Sequence, residues 1–159
     1  MLGLFIAMIT VFVTYVTFIV AKYGILPSIS ESYYRLPEKY NFLFTLALWG
    51  FAFPAMIIGT PVTGLMFGAC AGIMFVGAAA AFQQTLTKTV HYVGASMGMI
   101  LSQVAIATTF GMWYLSLGCV VTALLLYLFR KQINYTHLWW IEIMCFVAIG
   151  VVYGMKIIF

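Results

Sequence analysis

Six long stretches of apolar residues run through this chain and leave only short polar gaps between them. A helix that crosses the hydrocarbon core of a bilayer needs about 20 mostly apolar residues. The pattern therefore predicts six membrane-spanning helices, at residues 2–21, 42–58, 62–82, 89–110, 112–129 and 138–158. The boundary between the fourth and the fifth is the least defined, because little more than Gly111 separates them.

The composition excludes an ordinary soluble domain. Hydrophobic residues make up 65% of the chain and charged residues only 6%, whereas soluble domains are about a quarter charged. A transmembrane β-barrel would show alternating segments of about ten residues, and continuous apolar runs such as residues 120–128 do not alternate. We therefore expect an all-α fold, a polytopic transmembrane bundle of six helices with short loops, which forms one domain over residues 1–159.

The basic residues predict the orientation of the bundle. Six of them fall in the first, third and fifth gaps, which would all lie on one side of the membrane: Lys22, Arg35, Lys39, Lys88, Arg130 and Lys131. The other side would hold only Lys156. Because basic loops remain in the cytoplasm, we expect an inner or plasma membrane protein with both termini outside the cytoplasm. The formal charge of +4 then reflects contact with lipid headgroups, and no nucleic-acid partner is expected.

Small residues at four-residue spacing predict where helices pack closely. Lipid is as apolar as a leucine side chain, so helices in a membrane associate through close backbone approach and hydrogen bonds. Such spacing stacks residues on one helix face, and it occurs in the third, fourth and sixth spans at Gly64, Gly68, Gly72, Gly94, Gly98, Gly150 and Gly154. We expect tight packing within the subunit along these seams, which would also allow an oligomer.

Few polar residues could carry chemistry, and Glu142 is the clearest because a charged group in hydrocarbon is costly. It lies about one turn into the last span, where it could be a proton carrier, a cation ligand or a general base. The alternative is a glutamate that is capped at the rim by Arg130, Lys131 or a hydroxyl group. His91 and His137, which begin the fourth and sixth spans, are further candidates. For each of them, the alternative to a functional role is an amphipathic side chain at the membrane interface.

The first loop is the only long one, and it contains Ser28, Ser30 and Glu31. Long loops are often functional or mobile. This loop could lie over the cytoplasmic mouth and bring its polar residues toward His91 and His137. The candidate polar rim is therefore formed by both histidines, Glu142 and these three loop residues.

Two short segments resemble a known group. The first is a Pro-Ser-Ile-Ser sequence at residues 27–30, within the segment 27–34, and the second is a His-Tyr-Val-Gly-Ala sequence at residues 91–95. Both resemble bacterial six-helix membrane proteins of unknown function. That group is distantly similar to the ceramidase and adiponectin-receptor superfamily of intramembrane zinc hydrolases. The resemblance implies a zinc site at the cytoplasmic rim, for which His91, His137 and one of Glu31 or Glu142 would supply three ligands.

Two functions remain open. The scarcity of buried charge favours a non-catalytic carrier, binding or scaffold protein without a cofactor, whose ligand would be a lipid or a small molecule. The alternative is a zinc-dependent lipid hydrolase, so the sequence leaves open whether the protein is an enzyme. A deep cavity that reaches Gln103 or Glu142 would support the carrier.

Overall fold

The computed structural model describes residues 1–80 and 85–158, and this part of the chain is helical with no β-strand. The prediction of an all-α chain is confirmed. The seven α-helices of the described residues are α1 (Leu2–Tyr23), α2 (Ser32–Arg35), α3 (Phe42–Gly59), α4 (Gly64–Ala78), α5 (Thr85–Thr108), α6 (Trp113–Leu128) and α7 (His137–Ile158), and a 3-10 turn covers Glu38–Tyr40.

The described residues contain one α-helix more than the six predicted, the short helix α2. Helix α2 has four residues, and a single turn inside a polar loop leaves no signal in an apolar-run pattern. The end of the third predicted span, at Phe82, lies outside the described residues. Helix α4 begins only at Gly64 because the Thr63 hydroxyl caps it and accepts a hydrogen bond from the backbone N–H of Leu65 at 3.3 Å.

In the described part of the chain, four helical segments are long and apolar enough to cross a membrane: Leu2–Tyr23, Glu38–Gly59, Thr87–Thr108 and His137–Ile157. The chain is therefore a membrane protein. Helices α4 and α6 are apolar but shorter, with 15 and 16 residues.

The helices pack in the order α1, α3, α4, α5, α7, and α6 lies against α5 and α7. Helix α1 contacts α7 only weakly, so the ring closes loosely there. The backbone N–H of Trp139 donates to the Pro27 carbonyl at 3.1 Å, and the Thr45 hydroxyl donates to the Gly77 carbonyl at 2.9 Å. These bonds place three parts of the chain at one end of the bundle, which we call the loop end. They are the α1–α3 loop (residues 24–41), the C-terminus of α4 and the N-terminus of α7.

The closest helix contact joins α4 and α5 through glycines. A Cβ atom added to Gly72 would lie 2.5 Å from the Gly94 carbonyl oxygen and 2.8 Å from the Gly98 amide nitrogen. A Cβ atom on Gly68 would lie 2.8 Å from Cδ1 of Leu101. The two backbones therefore approach to a distance that only glycine allows.

Three of the predicted packing glycines lie outside this α4–α5 contact: Gly64, Gly150 and Gly154. Among the described residues, no atom lies within 4 Å of an added Cβ on Gly64. On α7, a Cβ on Gly150 would lie 3.0 Å from Cδ1 of Ile9, and one on Gly154 would lie 3.2 Å from the Phe5 ring. These two glycines therefore face α1.

Candidate functional site

The α1–α3 loop folds inward at the loop end instead of extending into solvent. Five of its residues are buried: Leu26, Ile29, Ser30, Ser32 and Leu36. The Ser32 hydroxyl donates to the Ile29 carbonyl at 2.5 Å, and its oxygen lies 2.6 Å from the Tyr15 hydroxyl on α1. Because a buried polar group is costly without a partner, these bonds hold the loop in one position against α1.

Glu142 on α7 meets the same loop. Its Oε2 atom accepts a hydrogen bond of 2.5 Å from the backbone N–H of Ile29. Three residues earlier on α7, the N–H of Trp139 donates to the Pro27 carbonyl, which satisfies one of the free amide groups of a helix N-terminus. The loop and the first turns of α7 are therefore joined by two backbone contacts. The described residues place no charged group against the carboxyl group.

Glu142 lines a cavity between the helices, which we call the Glu142 cavity. Its volume is about 50 Å³, enough for a few water-sized groups because one water needs about 10–15 Å³ on this measure. The wall is mostly apolar and comes from the loop and from α3, α4, α5 and α7: Ile29, Ser30, Leu48, Ile73, Val76, Ala95, Gly98, Met99, Glu142, Cys145, Phe146 and Ile149.

Only two residues of the predicted polar rim line this cavity, Glu142 and Ser30. Ser28 instead stabilises the loop, where its hydroxyl accepts a hydrogen bond of 3.2 Å from the backbone N–H of Glu31. Glu31 precedes α2 as its N-terminal cap residue, without a side-chain capping bond. Arg130 and Lys131, the predicted basic partners of Glu142, do not line the cavity either.

The two histidines have separate surroundings. His91 is buried and lies against the backbone of Val76 and Ala79 at the C-terminus of α4. The C-terminus of a helix is a favourable place for a hydrogen-bond donor, because the last carbonyl groups lack partners within the helix. His137 packs edge-on against the Tyr127 ring at 6.0 Å, and neither histidine lines the Glu142 cavity.

The described residues contain no group of three or more His, Cys, Asp or Glu side chains that could hold a metal ion. The zinc site that the resemblance implies stays a prediction.

Several residues of the site were not among the predicted candidates. Cys145, Phe146 and Ile149 follow Glu142 by three, four and seven positions, which is the spacing of one helix face. That spacing was visible in the sequence. Tyr15 was a second signal, since a hydroxyl group in an apolar span needs a hydrogen-bond partner.

The Gln103 carboxamide of α5 is a second buried polar group near α7. The Ser116 hydroxyl of α6 donates to the Gln103 backbone carbonyl at 2.8 Å. The Gln103 carboxamide has no hydrogen-bond partner among the described residues, although the Cys145 thiol lies beside it. Gln103 does not line the Glu142 cavity. Of the two residues that a deep cavity was expected to reach, Gln103 and Glu142, the cavity therefore reaches only Glu142.

Comparisons of this chain with protein-family models, with curated proteins and with solved structures give no match. The resemblance to six-helix membrane proteins and to the ceramidase and adiponectin-receptor superfamily stays a prediction.

Proposed function

We propose that this protein is a non-catalytic integral membrane binding protein or carrier for a small organic cation, and that Glu142 accepts the cation. The observation that carries the proposal is the lining of the Glu142 cavity by that carboxyl group, in a wall that is otherwise mostly apolar. A charged side chain inside a membrane helix bundle is costly when it has no partner. A residue with that cost needs a compensating interaction, and a cationic ligand would supply it.

The surroundings of Glu142 favour a cation as its partner. The carboxyl group has one hydrogen bond among the described residues, from the Ile29 amide. The described residues bring no basic side chain against it. A carboxylate has about four lone-pair sites, so acceptor capacity remains for a donor inside the cavity.

The composition of the wall favours an ammonium group over a metal ion. Ca²⁺ takes six to eight oxygen ligands, and among the described residues the side chains lining the cavity supply oxygen only from Glu142 and Ser30. The Phe146 ring and the Met99 thioether also line it. An aromatic face attracts an organic cation, and a cavity of about 50 Å³ admits a group of a few heavy atoms.

We also infer that α4 and α6 cross the membrane, which gives six crossings and places both termini outside the cytoplasm. At 1.5 Å per residue these helices are about 22 and 24 Å long, shorter than the typical core of about 30 Å. The outer face of α6 nevertheless needs lipid, because six of its aliphatic residues are exposed: Leu117, Val120, Val121, Leu124, Leu125 and Leu128. The basic gaps would then lie on the cytoplasmic side of an inner or plasma membrane.

Binding of radiolabelled methylammonium to the purified full chain in zwitterionic nanodiscs tests the function. We expect saturable binding that falls at least tenfold in Glu142→Gln, which keeps the shape of the side chain and loses its charge. Glu38→Gln is the matched control, because Glu38 lies in the 3-10 turn and is exposed. Unchanged binding in Glu142→Gln, or no saturable binding to the native chain, would overturn the proposal.

A further inference from the structure

A second void lies on the other side of Phe146. It is a groove of about 490 Å³ between α1 and α7, which we call the α1–α7 groove. Of the described residues that line it, only Thr17 has a polar side chain. Phe146 lines both this groove and the Glu142 cavity, so one side chain forms a wall that the two voids share.

Two residues of α7 that line the groove have no side chain. Gly150 and Gly154 line it opposite α1, and α1 contacts α7 only weakly. The space beside Gly150 is limited, since an added Cβ would lie 3.0 Å from Cδ1 of Ile9. A large side chain at position 150 would therefore displace the end of the Ile9 side chain and obstruct the groove.

The shared wall is a cluster of three aromatic rings. The Phe146 centroid lies 4.3 Å from that of Phe12 and 4.7 Å from that of Phe51. Phe12 and Phe51 are buried, while Phe146 is only partly buried. Phe146 is the ring that lines both voids, so a change of its rotamer would join them.

We propose that the ligand of this site is an amine with one hydrocarbon chain, whose ammonium group binds Glu142 and whose chain lies in the α1–α7 groove past Phe146. This inference rests on the proposed function and adds the substrate class. Charge complementarity assigns the ammonium end to the carboxyl group, and the apolar lining assigns the chain to the groove. The groove would also be the lateral entry from the bilayer, where such an amine concentrates.

Two ligands that differ only in the chain separate this inference from the proposed function. Octylammonium carries the charge and the chain, and methylammonium carries the charge alone. Both are measured as radiolabelled ligands on the full chain in zwitterionic nanodiscs. We expect Gly150→Leu to weaken octylammonium binding at least tenfold and to leave methylammonium binding unchanged. The matched control is Gly118→Leu on α6, because no described atom lies within 4 Å of an added Cβ there.

Each outcome decides a different claim. If Gly150→Leu binds octylammonium as the native chain does, while Glu142→Gln loses both ligands, the groove proposal is wrong and the proposed function stands. If Glu142→Gln keeps both ligands, both proposals fail. If Gly150→Leu loses methylammonium as well, Ile9→Trp fills the groove from the α1 side instead. Loss of both ligands in that variant too would overturn the separate groove site.

Discussion

The backbone N–H of Ile29 donates a 2.5 Å hydrogen bond to Oε2 of Glu142, which lies 113 positions later in the chain. This bond joins the α1–α3 loop to α7 at the edge of the Glu142 cavity. Ile29 and Glu142 both line that cavity. The position of the loop and the state of the carboxyl group are therefore linked, so a ligand at Glu142 would act on the loop as well.

The first prediction concerns this bond. Glu142→Ala leaves the buried Ile29 amide without its acceptor, which costs about 1–3 kcal/mol. Glu142→Gln keeps an acceptor oxygen and should lose less. Hydrogen exchange should accelerate at the Ile29 amide in the alanine variant, and the free energy of unfolding in mixed micelles should fall. Equal exchange rates at Ile29 in the native and alanine chains would show that this bond does not hold the loop.

The second prediction concerns the pair of Tyr15 and Ser32, whose hydroxyl oxygens lie 2.6 Å apart. Tyr15→Phe and Ser32→Ala should each destabilise the chain, and the double variant should lose less than the sum. Double-mutant cycles for hydrogen bonds between membrane helices average about 0.6 kcal/mol, and we expect at least that coupling. Free energies of unfolding give it directly, with Tyr92→Phe as an exposed control. Additive effects would contradict a direct bond.

The third prediction concerns the α4–α5 contact. Gly72→Ala would bring a Cβ to 2.5 Å from the Gly94 carbonyl oxygen, and overpacking of this kind costs about 1–3 kcal/mol. Gly64→Ala is the matched control on the same helix, because its added Cβ meets no described atom within 4 Å. Unfolding measurements should show a loss for the first variant and none for the second. Equal stability of the two variants would mean that the helices can separate without cost.

The fourth prediction concerns the inferred six crossings. Single cysteines at Lys39, Lys88 and Lys131 should react with a membrane-impermeant maleimide only in inside-out vesicles, and one at Lys156 should react only in sealed cells. Label at Lys39 and Lys88 on opposite sides would contradict the topology. The background replaces the three native cysteines with alanine, and all three are buried and free.

The helical class was predictable because apolar runs of this length leave few alternatives in a bilayer, where every backbone amide needs an internal partner. Glu142 was predictable for a related reason, since a lone carboxyl group in an apolar span is conspicuous. Its partner was not. The donor is the main-chain N–H of Ile29, and every residue except proline carries such a group, so no residue type marks it.

The histidines show the other limit of sequence reasoning. His91 was placed at the rim because it begins a span, and the structure turns it toward the C-terminus of α4 at the loop end, away from the Glu142 cavity. The direction of a side chain depends on how two helices are rotated against each other, and the sequence of one helix does not contain that rotation. The groove was hidden for the same reason, since Gly150 and Gly154 were visible as a seam while the loose contact with α1 was not.

The fifth prediction distinguishes a carrier from the zinc hydrolase that the resemblance implies. His91 lies against the α4 backbone, so we expect its main role to be structural. Metal analysis of the purified, chelator-washed chain should then find much less than one zinc per chain, and His91→Ala should lower the free energy of unfolding without changing that content. A hydrolase would instead retain about one zinc, because structural and catalytic zinc sites bind tightly, and His91→Ala would abolish it. His137→Ala is the informative comparison. If the two histidines share a zinc site, each single substitution should remove the metal. If they have separate structural roles, neither substitution should change the metal content.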